Sequence, residues 1–274
     1  MLAQRLLTAM LLIPLVVSGV LYLSTPRLAL ILAFIVLLGA QEWARLAGIQ
    51  SKAGQWFYAM LVAFALALSA LVLSHPQLIF WLFAAVTAGW LLEVVGLLRI
   101  RQVKTDAKGL NLPKALVGFL VLVPAWIALI SLHGSGQHGP ALVLFVMVLI
   151  WVADSGAYFA GRRWGRVKLA PAISPGKTRE GVYGALAGSV VCGLVLAWMR
   201  PEIGGVVATI PLCMLTCLVS VEGDLFESLI KRQAGVKDSG SLLPGHGGVL
   251  DRIDSLTAAA PVFLFGLLLL RMVQ

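Results

Sequence analysis

Nine apolar runs separated by short polar connections set the pattern of this chain; they fall near residues 6–23, 28–43, 56–73, 78–98, 115–132, 141–160, 182–199, 206–221 and 255–270. Each approaches the roughly 20 residues that an α-helix needs to cross a hydrocarbon core. The connections carry Gly, Pro and charge, residues that interrupt or end helices. The pattern predicts an all-α, polytopic integral membrane protein of about nine transmembrane helices. The first run resembles a secretory signal, but it is long, no small-residue cleavage site follows it, and eight more runs come after. It is read as a retained helix.

Composition agrees with the pattern and adds a direction to it. Of the 274 residues, 60% are hydrophobic and 12% charged, at a mean hydropathy of +0.96, whereas about a quarter of residues are charged in soluble domains. The net charge of +9 would suit nucleic acid if it formed one patch. The cations are instead scattered over the connections, so no nucleic-acid partner is expected. Of the 21 Lys and Arg, eighteen lie in the connections after runs two, four, six and eight and in the C-terminal tail, and three lie elsewhere. Positive connections stay inside. The N-terminus is therefore expected outside, and the C-terminus and charged connections on the cytoplasmic side of a bacterial-type inner membrane. Cys192, Cys213 and Cys217 all lie in apolar runs. No His or second Cys pair completes a zinc site, and small buried side chains are expected.

Acidic residues divide the chain. Nine of the twelve fall between Asp154 and Asp254, and the first 150 residues hold only Glu42, Glu93 and Asp106. Residues 1–110 are accordingly read as a transmembrane scaffold and residues 111–274 as the half that carries chemistry. The connection 99–114, RIRQVKTDAKGLNLPK, is basic and broken by Gly and Pro. It marks the boundary and would serve as a positive-inside anchor or meet anionic headgroups.

Three polar constellations follow. Asp154 stands inside the sixth apolar run, with Tyr158 one turn on, and an intramembrane acid is a functional candidate by default. Gly156 and Gly161 would admit a neighbouring helix or a ligand. The alternative is an interfacial acid paired with Arg162 or Arg163. Next, SPGKTREG over 174–181 looks like a Walker A loop, but Pro171 stands where that motif needs its first Gly and the preceding run is helical. What remains is a cradle in which Lys177, Thr178 and backbone N–H groups ahead of a helix start could hold phosphate; a plain basic loop is the other reading. Last, Asp224 and Glu227 are spaced i, i+3 at the end of the eighth run, and Asp251 and Asp254 repeat that spacing at the start of the ninth. Each pair points to one side of a helix. Two such pairs closing on each other would make a two-metal site able to clamp attacking and leaving oxygens, with Lys and Arg taking the remaining phosphate charge. Ordinary helix-end acids are the alternative, since Asp is favoured at a helix start. His246, flanked by glycines, suits a phosphate contact or a polar turn.

Between them, residues 228–254 hold Ser228, Lys231-Arg232, Lys237-Asp238, Gly240, Leu243-Pro244, His246-Gly247-Gly248 and Asp251-Arg252-Ile253-Asp254. This stretch resembles, without departure, the signature of the phosphatidate cytidylyltransferases (CDP-diacylglycerol synthases). The segment from Asp154 through Tyr158 to Gly161 and the Ser-Pro-x-Lys-Thr-x-Glu-Gly segment are similar to further parts of that family. In the latter, Arg179 replaces a more usual aromatic or apolar residue. The resemblance implies an enzyme that takes CTP and phosphatidic acid, itself a membrane lipid, to CDP-diacylglycerol and pyrophosphate. On this reading Asp224 and Asp251 are the main Mg²⁺ ligands, with Glu227 and Asp254 secondary and Lys231 and Arg252 beside them in catalysis. Lys177, Thr178, Ser228, Arg232, Lys237, His246 and Asp154 would bind substrate. The family also brings a potassium-assisted metal pair and a homodimer. A CTP-using polyprenol kinase would share these residues but transfer the γ-phosphoryl group. A secondary transporter would more typically show inverted repeats and broken helices, and neither is visible.

Overall fold

The computed structural model describes residues 2–106, 109–242 and 247–272. Among these the helices are α1 (Leu2–Tyr22), α2 (Thr25–Leu46), α3 (Lys52–Leu73), α4 (Pro76–Arg99), α5 (Leu112–His133) and α6 (Gly139–Trp164), then α7 (Arg179–Met199), α8 (Gly205–Gln233) and α9 (Leu250–Met272). Helices α2 to α9 include eight segments long and apolar enough to cross a membrane, and α1 contributes a shorter apolar stretch, Leu12–Tyr22. Starts are marked as the chain chemistry dictates. Pro lies in the first turn of α2 and α5, and Asn111 caps α5 by accepting from the Lys114 N–H at 3.1 Å.

Two features depart from the expected pattern. Between α6 and α7 the chain forms an antiparallel hairpin, β1 (Lys168–Ala170) with β2 (Ser174–Thr178), pairing Lys168 with Thr178 and Ala170 with Ser174. Pro171 and Pro175 disfavour a helix there, and apart from this one short hairpin the fold is all-α as expected. A strand thus does precede the Gly-Lys-Thr segment, but Pro171 still excludes a Walker A loop. The second departure is α8, which runs about three turns past the eighth apolar run to Gln233. It carries Glu222, Asp224, Glu227, Ser228, Lys231 and Arg232 on one continuous helix.

Packing groups the chain into two compact units that interleave in sequence. The first comprises 1–75, 104–144 and 230–254; the second comprises 76–103, 145–229 and 255–274. In the first unit α2, α3 and α5 pack together. The indole of Trp43 donates to the Lys114 carbonyl at 2.8 Å and the Tyr58 hydroxyl to the Ala115 carbonyl at 2.7 Å, which ties α2 and α3 to the start of α5. Lys114 is buried and paired with Asp106 at 2.5 Å, so this cation of the 99–114 connection is structural and not a free surface anchor.

The second unit is built on small residues. Ala153 of α6, Ala185 of α7 and Cys217 of α8 form a fully buried cluster, and Cys192 and Cys213 are buried nearby in sequence and equally free, as expected of small core side chains. Gly156 faces Gly184 across α6 and α7; a Cβ at Gly156 would stand 2.5 Å from the Gly184 carbonyl oxygen. Backbones this close need glycine on both sides. Gly156→Val should therefore separate α6 from α7 and destabilise the protein by about 1–3 kcal/mol. A lowered Tm in detergent would register this, and an unchanged Tm would show that the helices are free to part.

Candidate active site

In the second unit, the segments that sequence spacing singled out meet around one side chain. Lys177, near the end of β2, extends to α8, where its ammonium lies 2.8 Å from Asp224 Oδ2 and donates to the Val221 carbonyl at 3.2 Å. Asp224 Oδ1 accepts from the Ser228 hydroxyl one turn on, at 3.3 Å. Both members of the ion pair keep access to solvent, with side-chain exposures of 25% for Lys177 and 34% for Asp224. Surface-accessible pairs of this kind are weak, which leaves each partner ready to exchange the other for a ligand.

Lys177 opens into a pocket of about 320 Å³ whose polar wall includes Asp154, Tyr158, Arg162, Gly176 and Thr178, within the size range of small-molecule sites. Arg162 donates to the Tyr158 hydroxyl at 3.0 Å. Asp154 is exposed to this pocket. The Thr178 side chain is largely buried and caps α7, its oxygen accepting from the Gly181 N–H at 3.1 Å. This residue builds the helix start on which a phosphate cradle would depend. Arg179, the position that departs from the family pattern, is an exposed first residue of α7 whose N–H bonds the Val167 carbonyl.

In the first unit, Asp251 is held in the first turn of α9. Its Oδ1 accepts from the Lys231 ammonium at 2.6 Å; its Oδ2 accepts from the backbone N–H groups of Gly248 at 2.8 Å and Ser239 at 3.0 Å, with the Ser239 hydroxyl oxygen 3.1 Å away. Side-chain exposure is 10% for Lys231 and 7% for Asp251. The same loop is gripped from α2 by Glu42. Its carboxylate accepts from the Ser239 hydroxyl at 2.8 Å and from the N–H groups of Val249 and Leu250 at 3.0 and 2.9 Å. Glu42 thereby satisfies free N–H groups at the start of α9, the task of an N-cap supplied from a distant helix. The Gly247-Gly248 pair follows from this crowding: Gly247 has φ +79°, and a Cβ on Gly248 would collide with Ser239 and Glu42.

Sequence reasoning passed over Glu42 and Ser239. The rule that flags Asp154, an acid inside an apolar run, applies equally to Glu42. The remaining residues are less engaged: Arg232 donates to the Val236 carbonyl at 3.4 Å, and Lys237 and Arg252 are exposed. Glu227 is buried on α8, unlike its i, i+3 partner Asp224, and Asp254 is half-buried. His246 lies outside the described residues.

Comparison with known proteins decides the family. A model of the cytidylyltransferase family matches residues 3–270. The chain belongs to the cytidylyltransferase family. Two relatives match over nearly their whole lengths: it is similar to the phosphatidate cytidylyltransferase of Pseudomonas aeruginosa, 43% identical over 96% of each chain, and to that of Haemophilus influenzae, 37% identical over 97% of this chain and 98% of the other. The Bacillus subtilis phosphatidate cytidylyltransferase is 44% identical over 56% of this chain and 59% of its own. In this cytidylyltransferase, then, Lys177 pairs with Asp224 and Lys231 with Asp251.

The metal expected at such a site can be tested against these residues. Among the described residues no three acidic, His or Cys side chains gather into a ready-made cage. Mg²⁺ does not require one, because it is commonly held by one or two carboxylates, substrate phosphates and water. Asp224 fits that role: it offers hard oxygen, keeps solvent access and has an exchangeable partner. Asp251 fits less directly, since both its oxygens already accept from protein donors.

Proposed function

We propose that this chain transfers CMP from CTP to phosphatidic acid, giving CDP-diacylglycerol and pyrophosphate for phospholipid synthesis. The observation that carries the reading is the Lys177–Asp224 pair, whose lysine lines a pocket formed by the hairpin and by helices long and apolar enough to span a membrane. The family match and the names of the relatives support it. The site is assigned to the cytoplasmic side, with the N-terminus outside, because eighteen of 21 cations lie in the connections and C-terminal tail assigned to that side. Residues 111–274 supply most of the chemistry, with Glu42 as a contribution from the scaffold half.

A phosphatidate oxygen attacks the α-phosphorus of CTP in line; the new P–O bond forms as the bond to the bridging β-phosphate oxygen breaks, and pyrophosphate leaves. The attacking oxygen is already anionic, so no strong base is needed, and alignment and charge neutralisation carry most of the rate. Lys177, with the α7 start behind it, takes phosphate charge at the pocket mouth. Lys231, Arg232, Lys237, His246 and Arg252 supply further positive charge or phosphate contacts around the signature loop. Asp224 with Glu227 in the second unit, and Asp251 with Asp254 in the first, are each proposed as oxygen donors to Mg²⁺. When bound, that ion would neutralise phosphate oxygens.

The test is purified full-length protein with phosphatidate and CTP labelled at either the α or the γ phosphorus. Label from the α position should enter lipid and label from the γ position should appear in pyrophosphate. Lipid labelled from the γ position would instead reveal a kinase, and no lipid label from either position would remove the transferase reading.

A further inference from the structure

One cation on the wall of the Lys177 pocket has been given no task so far. Arg162, in the last turn of α6, donates to a neutral phenol, Tyr158, and meets no carboxylate among the described residues. Lys177, the second cation on the pocket wall, is already paired with Asp224. Asp154, Tyr158 and Arg162 are spaced i, i+4, i+8 and line the pocket together. One face of α6 thus runs from an acid to a cation over about 12 Å of helix rise, repelling a phosphate at the first end and attracting it at the second. The depth of the Arg162 end is marked independently. Tyr158 and Trp164 of α6 and Tyr183 of α7 are exposed where α6 ends and α7 begins. Tyr and Trp collect at the boundary between hydrocarbon and water, the level of lipid phosphates. Arg163, Arg166 and Lys168 follow directly and are exposed as well, a set of cations that attracts anionic headgroups.

We propose that Arg162 receives the phosphate of the lipid substrate and that Tyr158 positions its guanidinium. The inference rests on the function proposed above and names the residue that reads the lipid headgroup. The chemistry suits an arginine. A phosphomonoester carries three free oxygens, and a planar guanidinium binds two of them through paired N–H groups. The third is left as the nucleophile of the transfer, with the CTP phosphates drawn to Lys177 in the same pocket. An ammonium in place of the guanidinium would supply charge without gripping two oxygens. The γ-phosphate of CTP shares the chemistry of a monoester, and the two sources separate by experiment.

The full-length protein is assayed in mixed micelles, varying phosphatidate at saturating CTP and then CTP at saturating phosphatidate. Arg162→Ala should lower kcat/KM for phosphatidate roughly 10- to 150-fold, the range of one charge-assisted contact, and leave the KM for CTP unchanged. Arg162→Lys should recover part of that loss. Tyr158→Phe should lose roughly two- to ten-fold on phosphatidate alone. Equilibrium binding of dihexanoyl phosphatidate, measured without CTP or Mg²⁺, should weaken in Arg162→Ala by a factor similar to the kinetic loss. A KM for CTP that rises while the lipid constants hold overturns the proposal and gives Arg162 to the nucleotide. So does an Arg162→Ala protein with unchanged lipid kinetics, or one that loses both substrates equally with a lowered Tm, the mark of a packing role alone. Wild-type lipid constants in Tyr158→Phe would overturn the positioning role of the phenol. Wild type that forms no lipid product from CTP overturns the transferase reading itself, a different result from turnover indifferent to Arg162.

Discussion

Asp251→Asn should abolish turnover and also lower stability. From sequence alone the substitution looks conservative, since Asn nearly matches Asp in volume and an exposed helix-end acid could lose its charge cheaply. The structure changes that expectation. Asp251 accepts from the Lys231 ammonium and from the N–H groups of Gly248 and Ser239, and the Ser239 hydroxyl is shared between it and Glu42. An amide presents an NH₂ to one of these donor sets, and the Lys231 ammonium, on a side chain 10% exposed, loses its carboxylate. Breaking one side of a buried pair costs about 3–5 kcal/mol, so a drop in Tm should accompany a loss of kcat of at least roughly a hundred-fold. Removing both partners should be milder for stability than the sum of the single losses, because Lys231→Met leaves no charge for Asp251 to balance. Thermal unfolding in detergent for the two single variants and the double variant reads this coupling directly. A fully stable Asp251→Asn protein, or strictly additive losses, would show that the pair is incidental to the loop.

The spacing of apolar residues made the helices legible because hydrocarbon demands about 20 consecutive apolar residues, and no other soluble or fibrous pattern reproduces that run. It did not make the end of α8 legible. Hydropathy ends at Val221, whereas the backbone hydrogen bonds of the helix continue through charged residues to Gln233. The i, i+3 rule correctly placed Asp224 and Glu227 on one helix, yet Asp224 meets a pocket cation and Glu227 is buried, because burial depends on neighbours that sequence spacing does not name. Lys177 was legible as a candidate from its Gly-Lys-Thr setting, but its ion pair with Asp224, 47 positions away, was not. The hairpin that carries it was missed for a similar reason: its strands are only three and five residues long, too short for alternation to register. Glu42 is the clearest omission. Its partners Ser239, Val249 and Leu250 lie about two hundred positions on, and only tertiary packing explains why an apolar run keeps an acid.

The Lys177–Asp224 pair yields the second large effect, and its two halves should fail in opposite ways. In the resting protein Asp224 neutralises Lys177 at 2.8 Å, so an entering triphosphate must compete with a carboxylate for the same ammonium. Lys177→Ala removes a charge-assisted contact worth about 1.5–3 kcal/mol, which predicts roughly a 10- to 150-fold loss in kcat/KM for CTP and weaker CTP binding. Asp224→Asn removes the competitor. Equilibrium binding of CTP measured without Mg²⁺ should therefore be unchanged or tighter, while kcat falls by at least roughly a hundred-fold, because the carboxylate is required in turnover and not in resting affinity. The double variant should show the weak binding of Lys177→Ala and a kcat no lower than that of Asp224→Asn, since a site already without its carboxylate has little further rate for the cation to support. Weaker CTP binding in Asp224→Asn would mean that the carboxylate shapes the pocket instead of competing for Lys177. Near wild-type turnover in that variant would remove Asp224 from the chemistry and leave the pair as a bracket between hairpin and helix.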